Sequence, residues 1–332
     1  MELPIEVAEN IYQIELPLPF ALRSVNCYLL RDEAGWTIVD TGLNTSLARG
    51  IWQETFAALK IAPDMIERIV LTHSHPDHFG LAGWLQELGR QAKPGWMPPV
   101  LMSPLEVQFI QATWSRPQDE WFQDIHHFFA WCGMPEELIF HSTGGVAEIR
   151  QGTWPHPEVT ELIKPDETIA MGGREFKIIH TPGHSDGHLI FYDQADRLVL
   201  CGDQVLMSIT PNISRWHFSE FNPLKRYLDS LQQLASLEVR LGLPGHRALI
   251  TDWPGRVAEL QAHHAVRLER MLAATDSGAT PFQVSSEVFD FSNFTPHDIR
   301  FAVAETLAHL DYLVWQEKLS REDNSVWWFV TR

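Results

Sequence analysis

Leu71-Thr-His-Ser-His-Pro-Asp-His78 places four metal-competent side chains, His73, His75, Asp77 and His78, within six residues. Imidazole nitrogens and carboxylate oxygens are borderline donors that suit Zn²⁺, and no thiol stands among them, which favours a catalytic over a structural site. The residues in front, Ile66 to Leu71, have the apolar and β-branched content of a buried strand. Behind it, Asp77 opens a stretch with apolar positions at Leu81, Trp84, Leu85 and Leu88, the spacing of a helix. His73 and His75 are two apart, so on an extended strand end both rings turn to one side. The cluster is therefore predicted at a strand-to-helix junction with its donors facing one space.

The chain has sixteen histidines, so a His-rich segment alone is weak evidence for a metal. Its company downstream strengthens the reading. Thr181-Pro-Gly-His184 follows a predicted strand over Glu175 to His180, Cys201-Gly-Asp203 follows another over Arg197 to Leu200, and Leu243-Pro-Gly-His246 follows a third over Glu238 to Leu241. Each brings a further donor beside glycine just after an apolar run. Cys201, at a strand end, reads as a packed core thiol rather than a ligand. His126 and His127 read as surface or lid residues.

Taken in order, Val39-Asp40-Thr41-Gly42, His-x-His-x-Asp-His over residues 73–78, and the Gly-His, Gly-Asp and Gly-His elements resemble the metallo-β-lactamase superfamily over about residues 5 to 250. Asn26-Cys27-Tyr28-Leu29-Leu30 is similar to the family's second strand. Alternation of strands and helices gives the α/β class; the resemblance implies an αββα sandwich. It also implies two Zn²⁺ ions, with Mn or Fe as alternatives: one held by His73, His75 and His184, the other by Asp77, His78 and His246, with Asp203 bridging. Asp40 would be a carboxylate beneath the ligands that orients an imidazole; a simple turn-former is the alternative. Two dications about 3.5–4 Å apart make a bridging hydroxide available near neutral pH, and Asp77 could orient that nucleophile.

At 332 residues, 45% apolar and 20% charged, the chain can bury one large core plus a small appended domain. No uninterrupted apolar run reaches membrane-spanning length, and Met1-Glu-Leu-Pro-Ile-Glu6 lacks the pattern of a secretory signal, so the expected location is the cytoplasm without membrane attachment. Cys27, Cys132 and Cys201 are odd in number and far apart, which argues against a disulfide framework.

Periodicity predicts strands at about 5–16, 25–32 and 36–40, and helices over Ser46 to Lys60 and Pro223 to Leu237. An aromatic insertion at about Pro94 to Lys164 contains predicted helices over Pro104 to Trp114, Gln118 to Trp131 and Pro135 to Arg150. It is expected either to cover the cleft as an apolar lid or to pack its aromatics on the sheets or a second subunit. The catalytic domain is expected over residues 1–252 and a winged-helix-like domain over 253–332. The tail pattern is a long helix over Arg256 to Ala274, a short one over Phe282 to Phe289, and a capped helix from Thr295 to about Leu310. A hairpin of Tyr312 to Lys318 and Val326 to Thr331 about Asp323-Asn324 closes it.

This tail, with Met207-Ser-Ile-Thr-Pro-Asn212, resembles a β-lactamase-like branch of which some members cleave RNA. Residues 254–332 carry seven Lys and Arg against eleven Asp and Glu, within a chain of net charge −18. Nucleic-acid modules carry a basic face, so the tail is expected to shape the active-site rim or a dimer contact. The expected function is hydrolysis of a small ester, thioester or lactone with an apolar portion. A phosphodiesterase or endoribonuclease is the first alternative, and a non-enzymatic or redox member the second. Redox relatives place Glu where His75 stands, the tail lacks a basic cluster for glutathione, and nothing points to β-lactams.

Overall fold

Side-chain alternation along the strands builds two sheets with two apolar faces each. The computed structural model describes residues 4–19, 22–323 and 325–332. The first sheet runs in the order β1 (Ile5–Ala8), β2 (Ile11–Pro17), β3 (Ser24–Arg31), β4 (Trp36–Val39), β5 (Ile66–Val70), β6 (Val100–Met102), β7 (Val159–Leu162), antiparallel as far as β4 and parallel thereafter. The second consists of β8 (Thr168–Met171), β9 (Arg174–His180), β10 (Leu189–Asp193), β11 (Leu198–Gly202) and β12 (Leu241–Pro244), with only β11 and β12 parallel. In β3, Tyr28 and Leu30 face the second sheet, where they meet a core containing Phe176, Phe191 and Leu200. Val25, Cys27 and Leu29 point the other way. Strands buried on both faces in this manner read as continuous apolar runs.

Helices cover both outer faces. On the first sheet, α1 (Ser46–Leu59) lays down Trp52 and Phe56, and α2 (Pro76–Phe79) and α3 (Ala82–Ala92) add Phe79 and Leu85. Between β6 and β7 come α4 (Pro104–Ala112), α5 (Gln118–Trp131), α6 (Glu136–Thr143) and α7 (Val146–Gln151). On the second sheet, α8 (Pro223–Leu234) and α9 (Trp253–Ala273) bury Leu224, Tyr227, Trp253 and Val257 against Ile190 and Val199. The chain ends with α10 (Pro281–Val288), α11 (Pro296–Trp315) and a hairpin of β13 (Leu319–Asp323) and β14 (Trp327–Thr331). The layering is αββα, as expected from the resemblance.

Several boundaries differ from the sequence reading. The first strand is two, because Asn10 adopts a left-handed φ of 61° that turns β1 back on β2. The motif helix starts at Pro76 and breaks after Phe79: the Leu81 amide donates to the Gly42 carbonyl at 3.0 Å, away from the helix ladder. The helix expected over Pro135 to Arg150 divides at Gly144-Gly145. The helix from Pro223 ends at Leu234, and the strand expected from Glu238 lies at Leu241–Pro244. The hairpin strand placed at Tyr312 to Lys318 is helix as far as Trp315, since Leu310 and Leu313 stay buried on the core side. Pairing begins at Leu319; the turn residue Asn324 lies outside the described residues.

The insertion is not purely helical, because its flanks supply β6 and β7 to the first sheet. Its aromatics include Trp121, Phe128 and Phe129, which are buried with Val284, Val303, Leu307 and Phe329 from the tail. These three pack on the tail, a surface that neither the lid nor the packing expectation named. Insertion and tail thus share one core. Phe129 is fully buried there, so Phe129→Ala should cost about 3–5 kcal/mol, read as a lower urea midpoint at unchanged slope.

Candidate metal centre

The loops that carry the predicted donors leave the carboxyl ends of five strands: β4 delivers Asp40, β5 the His73 to His78 segment, β9 His184, β11 Asp203 and β12 His246. Facing sheets bring these ends together. Donor atoms of His73, His75 and His184 lie within 4.8 Å of one another, and so do those of Asp77, His78 and His246. Asp203 lies between the two groups: its Oδ2 is 3.5 Å from His184 Nε2 and 3.2 Å from His246 Nε2, and its Oδ1 is 3.4 Å from His78 Nε2. All seven sequence-predicted donors therefore converge.

Hydrogen bonds on the far side of each ring decide which nitrogen faces inward. His184 Nδ1 donates to the Asn212 carbonyl at 3.0 Å and His246 Nδ1 to the Ser24 carbonyl at 2.6 Å. A carbonyl only accepts, so a neutral ring keeps its lone pair on Nε2. Asp40 does the same for two further rings. Its Oδ2 accepts from His78 Nδ1 at 2.8 Å and from the Thr72 hydroxyl at 2.8 Å, and its Oδ1 accepts from the Thr72 amide at 2.9 Å. With its proton given to Asp40, the Thr72 oxygen accepts from His73 Nδ1 at 2.9 Å. One carboxylate thus orients His78 directly and His73 through Thr72, which favours the orienting role over a simple turn. Asp40 does this from a left-handed φ of 57°, a conformation that Asp tolerates better than most residues.

The result is a set of buried polar atoms without hydrogen-bond partners: Nε2 of His78, His184 and His246, and Oδ1 of Asp203. Orphaned polar atoms are rare in folded proteins, and four converging ones fit a bound cation. Burial, reinforced by the neighbouring imidazoles, holds His73 well below the usual histidine range, and burial with His184 brings His75 down to about 3. Burial also opposes charge on His246, but Asp203 and Asp77 overcome it and push the ring up to about 10. Asp77, despite burial, is brought to about 2 by His78 and His246. Ionised carboxylates among imidazoles attract either protons or a metal, so the two compete.

Gly245 permits this approach, since a Cβ there would collide with Asp203 Oδ1 and lie 2.7 Å from His78 Cε1. Sequence reading passed over the supporting roles of four residues. His188 Nε2 accepts the Asp203 amide at 3.2 Å. Glu106, buried on α4, accepts from the Ser74 amide at 2.7 Å and the Gly187 amide at 2.7 Å, clamping two donor loops together. Asn26 donates to the carbonyls of Pro244 and Arg247 on either side of His246, and the carbonyl of Asn212 holds His184. His188 left a visible sign, a second Gly-His four residues after the first, and Asn26 and Asn212 stand in stretches that resemble the family.

The metallo-beta-lactamase superfamily profile matches residues 21–246, and that of the metallo-beta-lactamase-like C-terminal domain matches 268–332. The chain belongs to the metallo-beta-lactamase superfamily. It is a hydrolase of that superfamily, whose members bind divalent metals. A probable metallo-hydrolase of Bacillus subtilis, YqjP, is 26% identical over 96% of this chain and 97% of its own length. The metallo-beta-lactamase family protein TTHA1429 of Thermus thermophilus superposes with a TM-score of 0.86 at 33% identity, over 98% of this chain and 100% of that one. A beta-lactamase domain protein of Burkholderia ambifaria gives 0.87 at 30% identity, over 99% and 94%. No helix among the described residues is long and apolar enough to cross a membrane.

Two outcomes are expected. Asp40→Ala should keep the fold and weaken metal retention by about 10–100-fold, measured by chelator competition. Zn²⁺ uptake at pH 7 should release protons, because His246 without a cation is charged below about 10; calorimetry in buffers of different ionisation enthalpy reads the release, and affinity should rise with pH.

Proposed function

We propose that the protein is a dinuclear metal hydrolase acting on a small ester, thioester or lactone with an apolar portion. The carrying observation is the pair of three-residue donor groups with Asp203 between them and the inward nitrogens of His78, His184 and His246 unpartnered. In this reading His73, His75 and His184 would hold one cation and Asp77, His78 and His246 the other, with Asp203 available to both. The donor set of imidazoles and carboxylates suits Zn²⁺, with Mn or Fe as alternatives. What the cations supply is Lewis acidity, which polarises a carbonyl and acidifies a water.

The chain's own residues do the rest. Asp77 is ionised at any working pH, and its carboxylate can accept a proton of the attacking water in a hydrogen bond and aim it. Asp203 keeps the two donor groups in register. His73 and His75 are held neutral by burial, and their rings meet with His73 Nε2 3.0 Å from His75 Nδ1. Support for an apolar substrate portion comes from aromatic side chains beside the motif. Trp114 Nε1 donates to the Ser74 carbonyl at 3.2 Å, and the exposed Trp154 stacks on His156, which packs against Phe79. The net charge of −18 disfavours a polyanionic substrate such as RNA.

We further read residues 1–252 as the catalytic unit and 253–332 as an appended winged-helix-like unit. The test is a panel of acyl thioesters, lactones, aryl esters and a phosphodiester, offered to metal-stripped protein reloaded separately with Zn²⁺, Mn²⁺ or Fe²⁺. Metal-dependent turnover of a carbonyl substrate, abolished in Asp203→Ala, is the expected result. Turnover confined to the phosphodiester would move the reading to phosphoryl chemistry, and no turnover on any member would defeat it.

A further inference from the structure

The segment that follows Asp203 has no helix or strand of its own until α8 begins at Pro223, yet it carries the carbonyl that orients His184. Its support comes from the tail. Arg256 on α9 donates through Nε to the Leu206 carbonyl at 2.6 Å and through Nη2 to the Ile209 carbonyl at 2.5 Å. On α11, Glu305 Oε2 accepts from Asn212 Nδ2 at 3.2 Å, and the Ala304 carbonyl accepts the Arg215 amide at 3.0 Å. Arg215 Nε lies 3.5 Å from Asp311, also on α11. The hydroxyl of Ser214 closes on the Asn212 side-chain oxygen, so the amide group of Asn212 is held on both of its sides.

We propose that α11, through Glu305 and Asn212, positions His184 for metal binding, so that the tail completes a centre to which it contributes no donor. The inference rests on the two-cation reading of the site. The physical reason is local. The inward lone pair of His184 is aimed only while Asn212 keeps its carbonyl 3.0 Å from Nδ1, and an irregular segment has no ladder of its own to fix that carbonyl. Glu305 is largely buried and also lies 3.5 Å from Arg267. Its contribution to Asn212 and its ion pair are therefore separable: Glu305→Gln keeps an acceptor for Asn212 and removes the charge, whereas Glu305→Ala removes both.

The test uses the full-length protein loaded with Co²⁺, reading stoichiometry and affinity by chelator competition, coordination by the visible spectrum, and stability by thermal unfolding. Wild type should take up two Co²⁺. Glu305→Ala should hold one ion as wild type does and the other about 10-fold more weakly, with an altered spectrum and a retained unfolding temperature, and Glu305→Gln should restore both ions. Asn212→Ala, which cuts the same link from the loop side, should reproduce the loss, and it decides the matter if Glu305→Ala does not fold. Wild-type affinity for both ions in Asn212→Ala or Glu305→Ala overturns the proposal. So does a parallel loss of both ions with a lowered unfolding temperature, which would mark general destabilisation. A wild-type protein that binds no divalent cation overturns the two-cation reading itself, and this inference with it.

Discussion

Lone pairs without water are the constraint around which this molecule is organised. Seven donors sit at the carboxyl ends of two facing sheets, and most are closed off from solvent. A buried imidazole would ordinarily turn its acceptor nitrogen to a neighbouring donor. Here the outer nitrogen is claimed first: by Asp40 for His78, by Thr72 for His73, and by backbone carbonyls for His184 and His246. The inner nitrogens of His78, His184 and His246 are left without a hydrogen-bond partner, while that of His73 meets His75 Nδ1 at 3.0 Å. Asp40 is the economical element, since one carboxylate fixes two rings and the start of the motif loop through the Thr72 amide.

The same logic explains why so much of the chain outside the sandwich bears on the centre. Glu106 reaches from the insertion into the loops of Ser74 and Gly187, and a carboxylate enclosed by donors gives those loops a fixed separation. Burial raises the Glu106 carboxyl, while hydrogen bonds from Ser74 and the Gly187 amide oppose the rise. Beyond this first helix, the insertion turns its aromatics to α10 and α11, and the shared core makes the two regions a single mechanical support. Donor loops pressed between rigid layers lose little entropy when a ligand binds, which is the advantage of preorganisation.

Legibility in the sequence followed the range of the interaction. The donors were readable because each group follows an apolar run, His184, Asp203 and His246 directly beside glycine, and the strand itself aims the loop. His73, His75, Asp77 and His78 needed only six residues of context. Glu106 was silent because its partners lie 32 and 81 positions away, and nothing near it on α4 distinguishes a clamp from a solvated helix face. Asn212 orients His184 through its backbone carbonyl, which carries no residue signature, and its side chain meets Glu305 from 93 positions away. The tail helix was cut short at Leu310 in the reading because Tyr312 to Lys318 is aromatic and mixed enough to suit a strand. Burial of Leu313 beside residues far away in the chain keeps it helical.

Local chemistry in the chain by itself therefore determined the α/β class, the identity of the donors and the acidic surface, and the family resemblance added the layer order. Only the tertiary structure decided which nitrogen of each ring faces inward, that Asp203 lies between the two donor groups, and that the aromatic insertion closes its core on the tail. The physical reason is that donor type and periodicity are properties of neighbouring residues. Orientation and shared burial, in contrast, are set by groups that meet only when the two sheets and their covering helices have packed.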